Sequence, residues 1–156
     1  EWLEAIELNF MSAVRMCREV IPYMKQQRWG RIINLLSNAV RQPVLNLVLS
    51  TSSRLAVVGY SKMLSNELAR FNITVNNVLP GQISTDRMTT LYTAIAEEKN
   101  RSVEDLMKEA AQLIPMGRLG RPEEMGDLIA FLASPKASYI TGQNISLDGG
   151  ALSATI

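Results

Sequence analysis

The residues able to do acid–base chemistry in this chain are few, because the sequence contains no histidine. Histidine is the commonest general base and the commonest metal ligand in proteins. Proton transfer must therefore come from a Tyr, Lys, Asp or Glu side chain or from a hydroxyl group, and no metal site is predicted. The single cysteine, Cys17, stands in an apolar helical pattern, which predicts a buried side chain and not a reactive thiol.

Two polar residues are candidates for a site. Ser37 directly follows an apolar run at 31–36 that predicts a buried strand, and the C-terminal ends of parallel strands face the crevice in which such sheets bind ligands. The alternative is a serine that satisfies only the backbone of its own loop. Asn9 falls inside a predicted helix, where asparagine is mildly unfavourable. A functional role and a buried structural hydrogen bond are both compatible with that cost.

Apolar spacing indicates the elements that must position these residues. Steps of three and four from Trp2 to Met24 predict a long amphipathic helix, which the stretch Arg28-Trp29-Gly30 is expected to stop, with Gly30 as the C-terminal breaker. The remaining predicted elements are strands at 31–36, 73–79 and 144–147, helices at 48–71 and 122–133, and a mobile, weakly patterned helical excursion at 83–113.

The order of these elements predicts the fold class. Strands separated by helices imply a parallel sheet with helices on both faces. We therefore expect an α/β chain, the C-terminal half of a doubly wound (Rossmann-like) parallel sheet, with three strands and flanking helices in one domain over 1–156. The chain opens inside a helical pattern without an initiator methionine, and we interpret it as joined partway through a longer domain.

Composition limits the class of partner. A net charge of +1 with 20% charged residues gives no basic surface for nucleic acid or acidic lipid. No apolar window reaches the roughly 18 residues of a transmembrane candidate. A single cysteine excludes an internal disulfide and fits a reducing compartment. We expect a cytoplasmic protein without a nucleic-acid or membrane partner.

Five stretches in order resemble one family. They are Asn9 within its helix, the run 32–37 that ends in Ser37, the segment Asn76-Asn77-Val78-Leu79-Pro80-Gly81-Gln82-Ile83-Ser84-Thr85, the run 117–124, and the stretch 139–150 with its Asp148-Gly149-Gly150 end. Together they resemble the short-chain dehydrogenases/reductases, nearest to the 3-oxoacyl-[acyl-carrier-protein] reductase type. The resemblance covers essentially all 156 residues, although nothing matches the family's Gly-rich dinucleotide loop.

The resemblance implies hydride transfer between NAD or NADP and a small-molecule carbonyl/alcohol pair. In the family a Tyr donates a proton, a Lys four residues later lowers the Tyr pKa and binds the cofactor ribose, a Ser hydrogen-bonds the carbonyl oxygen, and an Asn supports a proton relay. Ser37 and Asn9 match the last two roles. Asp148-Gly149-Gly150 is interpreted as a structural turn.

The strand-ending segment matches the family's cofactor contacts. The resemblance assigns Thr85 and the backbone around Ile83 to the nicotinamide amide and a nearby phosphate, while Pro80 and Gly81 shape the turn. The alternative is a simple turn at the end of a strand.

The chain departs from the family at its two most diagnostic positions. Counting from Ser37 puts Ser50 at the Tyr position and Arg54 at the Lys position. An aliphatic hydroxyl is a far weaker acid than a phenol, whereas Arg54 keeps the positive charge and the ability to bind ribose hydroxyls. Tyr60 and Lys62 lie too late in the chain to substitute.

Three hypotheses stay open. The first is an NAD(P)-dependent oxidoreductase, with 3-oxoacyl reduction as one substrate class, in which Ser37 and Asn9 polarise the substrate and a water on Ser50 relays the proton. The second is a catalytically impaired dinucleotide-binding or scaffold homologue. The third is an oligomerisation unit, a homodimer or homotetramer formed through helices near 2–27 and 48–71.

Overall fold

Three parallel strands and the helices that flank them form the structure, a computed structural model that describes residues 1–154. The elements are α1 (Trp2–Ile6), a π-helical turn (Glu7–Met11), α2 (Ser12–Gln27), β1 (Gly30–Leu35), α3 (Val48–Leu68), β2 (Ile73–Pro80), α4 (Asp86–Lys99), α5 (Val103–Gln112), α6 (Pro122–Ala133) and β3 (Asn144–Leu147), with 3₁₀ turns at Asn38–Val40, Ala69–Phe71 and Pro135–Ala137. The predicted α/β class, the three strands and their parallel pairing are confirmed. Within 1–154, no helix combines the length and apolarity needed to cross a membrane.

The first predicted helix has two features that its apolar pattern did not predict. A π-helical turn separates α1 from α2, and in it the Ser12 amide donates to the Glu7 carbonyl, five residues earlier. The helix ends within the predicted stretch 28–30, but the residue that ends it is Arg28, in the left-handed region with φ of 52°, and not Gly30. Gly30 instead begins β1, where a Cβ would lie 2.5 Å from the sulfur of Met24.

The core lies on both faces of β2, whose residues 73–79 are all buried. On one face, α2 and α3 pack Cys17 and Leu68 against Ile73 and Val75. On the other face, α6 packs Leu132 against Val78. Cys17 is only 4% exposed, which confirms its predicted burial. These two layers hold the C-terminal ends of the strands in fixed positions relative to the helices.

A ladder of asparagines crosses the sheet at one register. Asn34, Asn77 and Asn144 are directly paired positions of β1, β2 and β3. Asn34 Nδ2 donates to Asn77 Oδ1 at 3.1 Å, and Asn77 Nδ2 donates to Asn144 Oδ1 at 2.8 Å. Ser61 of α3 joins the ladder, accepting from Asn34 at 3.0 Å and donating to Asn77 at 2.9 Å. The ladder fixes strand register because a slip by one residue would unpair it.

The excursion at 83–113 is more regular than its weak apolar pattern predicted. It contains α4 and α5, and each begins at a hydroxyl cap: Thr85 accepts from the Met88 amide, and Ser102 accepts from the Asp105 amide. Leu106 and Ala110 are the buried residues of α5. Two short capped helices with few buried residues, Ala96 in α4 and Leu106 and Ala110 in α5, explain the weak signal over the whole stretch.

Candidate functional site

The side chain of Asn9 projects from the middle of the π-helical turn. Its Nδ2 donates to the Ala5 carbonyl at 3.1 Å and to Ser53 Oγ on α3 at 3.0 Å. In a regular α-helix the Ala5 carbonyl would accept the backbone amide of residue 9. The turn therefore couples Asn9 to α3 through its side chain.

Ser50 and Arg54 form a hydrogen-bonded pair one turn apart near the start of α3. Arg54 Nη1 donates to Ser50 Oγ, and it also lies 3.5 Å from the Ser50 carbonyl. A guanidinium has donors only, so Ser50 must accept in this bond. No acceptor within residues 1–154 takes the Ser50 proton, which leaves that hydroxyl available as a donor.

The charge of Arg54 has no acidic partner within residues 1–154. The side chain is half-buried, and no carboxylate among the described residues lies within salt-bridge distance of it. Desolvation by burial lowers the pKa of the Arg54 guanidinium, and the positive charge of Arg87 lowers it further. Arginine titrates so far above neutrality that the group stays charged, so the described part of the site carries a cation without a counter-ion.

Ser37 follows β1 and caps the 3₁₀ turn Asn38–Val40. Its Oγ accepts from the Ala39 amide at 3.1 Å, while its backbone is extended. The structural alternative raised from the sequence is therefore real, because the hydroxyl satisfies its own loop. As at Ser50, one protein N–H occupies the oxygen and no acceptor in the described part of the chain takes the proton. Each hydroxyl thus keeps its proton available for donation.

The segment from Pro80 to Thr85 has clear structural duties. The Gly81 amide donates to the Leu147 carbonyl at 2.9 Å, and a Cβ at Gly81 would lie 2.7 Å from Cβ of Asp148. Ile83 pairs with Gly120 in an isolated parallel bridge, and Thr85 caps α4. The close contact with Asp148 explains why position 81 is a glycine, with no need for a ligand. Thr85 is exposed, so its side chain is accessible to a ligand.

The predicted site residues border three separate cavities. Asn9 and Arg54 line one of about 440 Å³ beside Leu35 and Leu36. Ser37, Pro80 and Gly81 line one of about 360 Å³, and Ile83 borders a third of about 330 Å³. The structure brings Arg54 to Asn9 and to Ser50, and Ser37 to the strand-ending turn. The 3₁₀ turn after Ser37 packs directly against α3.

Tyr60 occupies a different environment from the Ser50 pair. Its ring meets Phe10 edge-on at 6.0 Å between centroids. Burial is the largest cause that raises the pKa of Tyr60, and contact with the Cys17 thiol adds to it. Tyr60 thus packs in the core-side cluster around Cys17. The structure gives it no contact with Ser50 or Arg54.

Two further contacts were missed from the sequence. Ser53 holds Asn9, and nothing in a serine-rich stretch indicates which serine faces a distant helix. Asp148 accepts from Asn38 Nδ2 at 3.1 Å and from the Gly150 and Leu152 amides at 3.0 and 2.9 Å. The Asp-Gly-Gly end is therefore a structural turn, as predicted, which also joins β3 to the loop after Ser37.

Comparisons with known proteins agree with this architecture. The family model described as Enoyl-(Acyl carrier protein) reductase matches residues 1–151. The chain is 43% identical over 129 residues to the NADPH-dependent reductase BacG of Bacillus subtilis, covering 83% of this chain and 50% of that protein. It is 34% identical over 150 residues to the 3-oxoacyl-[acyl-carrier-protein] reductase FabG of Aquifex aeolicus, covering 96% and 56%. The chain spans about half the length of these relatives.

Solved structures give the same result. The crystal structure of L-sorbose reductase from Gluconobacter frateurii, complexed with NADPH and L-sorbose, superposes with a TM-score of 0.93 at 29% identity, covering 98% of this chain and 59% of that one. The structure of YwfH, an NADPH-dependent reductase involved in bacilysin biosynthesis, gives 0.86 at 38% identity, covering 92% and 55%. The chain belongs to the short-chain dehydrogenase/reductase family.

Proposed function

We propose that this chain is the part of an NAD(P)-dependent reductase that binds and activates a carbonyl compound. The observation that carries the proposal is the Ser50 hydroxyl, which Arg54 occupies on its acceptor side and leaves free to donate. When bound, the nicotinamide supplies the hydride. The chain's own task is to hold the substrate oxygen while negative charge develops on it.

The hydroxyls of Ser50 and Ser37 suit that task. Each accepts one hydrogen bond from the protein and keeps its proton available for an incoming oxygen. A serine hydroxyl is too weak an acid at neutral pH to protonate an alkoxide by itself in the way a tuned phenol does. We therefore assign Ser37 and Ser50 to oxyanion stabilisation, with the proton arriving from water.

The residues fit the proposed cofactor. Arg54 is a half-buried cation to which the described residues offer no acidic partner, which suits ribose hydroxyls beside a phosphate-bearing ligand. Thr85 is exposed at the start of the 14-residue helix α4, next to the turn of Pro80, Gly81 and Ile83. The relatives BacG and YwfH carry the description of an NADPH-dependent reductase, which supports NADP over NAD.

The cavity beside Ser37 supports an apolar substrate chain. Its walls include Val44, Leu47, Ile114 and Leu152, next to the donor hydroxyl of Ser37. Such a surface suits an acyl chain better than a sugar. FabG relatives are named as 3-oxoacyl-[acyl-carrier-protein] reductases, and we propose 3-oxoacyl compounds as the first substrate class to test.

A second reaction, reduction of a carbon–carbon double bond conjugated to a carbonyl group, also suits this site. Hydride adds to the β-carbon, the π electrons move to the carbonyl oxygen, and water later protonates the α-carbon. This course needs an oxyanion donor but no strong side-chain acid, which matches Ser50 in place of a phenol. The matching family model, described as an enoyl reductase, supports the same candidate.

Product analysis on the full-length protein separates these candidates. NADPH oxidation is followed with 3-oxoacyl thioesters and with 2-enoyl thioesters, and the products are identified by mass and NMR. A 3-hydroxyacyl product supports carbonyl reduction, and a saturated acyl product supports alkene reduction. If neither substrate class is turned over, the reductase proposal loses its support.

The catalytically impaired alternative has its own test. The double variant Ser50→Tyr with Arg54→Lys restores the phenol–ammonium pair of the family. Under that alternative the double variant reduces 3-oxoacyl substrate while the parent does not, and its kcat falls as pH rises through the tyrosine pKa. Activity of the parent with a flat profile near neutrality contradicts it, because neither Ser50 nor Arg54 titrates there.

The self-association predicted from the sequence stays a proposal, as does a single domain over 1–156. Leu3, Tyr23 and Met63, on the helices near 2–27 and 48–71, are largely exposed. Exposed apolar side chains on long helices support a homodimer or homotetramer. A strictly monomeric sedimentation profile of the full-length protein at micromolar concentration would contradict it.

A further inference from the structure

The segment that follows β3 closes one side of the cavity beside Ser37. The Ser153 amide donates to Gln42 Oε1 at 3.1 Å, a contact between residues 111 apart in the sequence. This bond ties the segment to the loop 41–47, whose apolar side chains line the cavity. Leu152, one residue before the bond, lines the same cavity. A ligand chain that extends towards this side of the cavity therefore meets Leu152.

A tight turn fixes the position of Leu152. Gly149 and Gly150 have φ of 63° and 87°, in the region that favours glycine. The Leu152 amide donates to Asp148 Oδ2 at 2.9 Å. A Cβ at Gly149 would lie 2.7 Å from Cγ2 of Ile114, a cavity residue that is 5% exposed. The backbone of the turn, packed against Ile114, thus determines where Leu152 lies.

This side of the cavity belongs to the edge of the sheet that lies away from β1. The strand order β1-β2-β3 puts β3 at the opposite edge, and the segment 149–153 is anchored there through Asp148. The cavity, of about 360 Å³, is at the small end of the range of about 300–1,000 Å³ typical of ligand pockets. The volume of one leucine side chain is therefore a substantial part of the space available to a ligand.

We propose that Leu152 is a specificity-determining residue that restricts the cavity to short acyl chains, and that Gln42 is a positioning residue that holds the segment carrying Leu152 against the loop 41–47. The inference rests on the proposed function for its occupant, an acyl chain bound beside Ser37. It deepens that function by assigning the limit on chain length to one side chain. Because Leu152 acts by excluding volume, the limit should move in the direction that the size of residue 152 predicts.

Calorimetric titration of the full-length protein, with and without NADPH, measures the limit. The probes are saturated acyl thioesters of N-acetylcysteamine, from butyryl to palmitoyl. Affinity should rise roughly fourfold for each methylene group that the cavity accepts, and it should stop rising at the limit. Leu152→Ala should move the limit to chains about two to three carbons longer, since it leaves that much space, and Leu152→Phe should move it to shorter chains. A limit that stays in place in both variants would overturn the proposal.

Leu45→Ala is the matched control, because it removes the same group from a leucine of the neighbouring loop. Leu45 is 89% exposed and lies outside the lining of the cavity. This variant should keep the limit of the parent. Equal shifts in Leu45→Ala and Leu152→Ala would show that general loss of apolar surface changes the affinities, and would overturn the role of Leu152.

Gln42→Leu tests the positioning role, with Gln143→Leu as its control. The change at position 42 nearly keeps the side-chain size and removes the oxygen that accepts from Ser153. Hydrogen exchange of the Ser153 amide should become roughly fivefold faster, and the limit on chain length should become less sharp. Gln143 is also exposed, but its side chain donates to the Thr141 carbonyl, so its loss should change neither readout. Parent exchange and a parent limit in Gln42→Leu would overturn the positioning role.

Binding and turnover separate this inference from the proposed function. If the protein reduces carbonyl substrates but the limit does not follow the size of residue 152, the role of Leu152 is refuted and the reductase proposal stands. If the limit follows residue 152 in a protein that reduces neither substrate class, the reductase proposal is refuted and the acyl-binding cavity stands. Absence of binding by every saturated thioester would overturn the role of Leu152, whatever the turnover.

Discussion

Helix α3 carries two clusters of polar side chains that differ in one respect. Near its middle, Ser61 belongs to the asparagine ladder, where its hydroxyl both accepts and donates. Near its start, Ser50 accepts from Arg54 and donates to nothing within 1–154. No atom of the ladder is buried without a partner. The two clusters use similar groups. In the closed cluster, the ladder, the side chains make their hydrogen bonds to one another, whereas in the open cluster, Ser50 and Arg54, the Ser50 hydroxyl can still donate to a ligand.

The difference separates structural polar groups from functional ones better than residue type does. A buried polar group without a partner costs stability, so proteins pair such groups when nothing else is required of them. Open hydrogen-bonding capacity beside a cavity is the arrangement expected where a ligand completes the bonding. Variants in the ladder should therefore change stability, and variants at the open cluster should change ligand binding or turnover.

The largest effect is expected in the ladder. Asn77→Ala deprives Asn34, Ser61 and Asn144 of a partner at once, and the free energy of unfolding should fall by about 3 kcal/mol, since each stranded buried group costs about 1–3 kcal/mol. Urea unfolding of the full-length protein measures this. Asn144→Ala, at the end of the ladder, should cost only about 1 kcal/mol. Equal losses in the two variants would show that the ladder is not a connected network.

Ser50→Ala should act on turnover and spare stability. Removing one oxyanion donor lowers kcat on the order of a hundredfold, while the unfolding midpoint should stay near that of the parent. The control is Ser52→Ala, an exposed serine on the same turn of α3. Full activity in Ser50→Ala would mean that the open hydroxyl is not used by the substrate.

Arg54→Met should weaken cofactor binding. Loss of a half-buried cation without an acidic partner is expected to raise the Kd for NADPH about tenfold, the equivalent of one charge-assisted hydrogen bond. Stability should not fall, because the removed charge has no carboxylate counter-ion among residues 1–154 to strand. Arg101→Met, which breaks an exposed pair with Glu109, should leave the Kd unchanged. Calorimetric titration compares the two variants directly.

The sequence could predict the open cluster only in part, for a physical reason. Apolar periodicity is a local signal, so the strands and long helices were recognised from it. The contact from Asn9 to Ser53 joins residues 44 apart and depends on the phase of two helices and on a π-helical turn. No pattern of residue types in one helix encodes that phase. The fold could therefore be derived from the sequence, but the orientation of Asn9 could not.

Helix-start signals are local features that the sequence does contain. Thr85 before Asp86, and Ser102 before Glu104 and Asp105, are helix-start signals. They could have divided the excursion at 83–113 into its two helices. Ser37 likewise precedes a turn that its own hydroxyl caps. In each case a hydroxyl followed by a short helical segment was the available signal, and the weak apolar pattern obscured it.

The smallest effect is expected at Thr51, which is buried at 8% exposure next to Ser50 and whose hydroxyl has no hydrogen-bond partner in the described range 1–154. Thr51→Val keeps the shape and removes the unpaired hydroxyl, so the free energy of unfolding should rise by up to about 1 kcal/mol. Ser61→Ala, which removes a paired hydroxyl from the same helix, should lower it by about 1 kcal/mol. Opposite signs in urea unfolding would confirm that pairing, and not burial alone, decides what a hydroxyl on α3 contributes. A loss of stability in Thr51→Val would instead show that the full-length protein supplies that hydroxyl with a hydrogen-bond partner. Thr51 would then be a structural polar group, like Ser61.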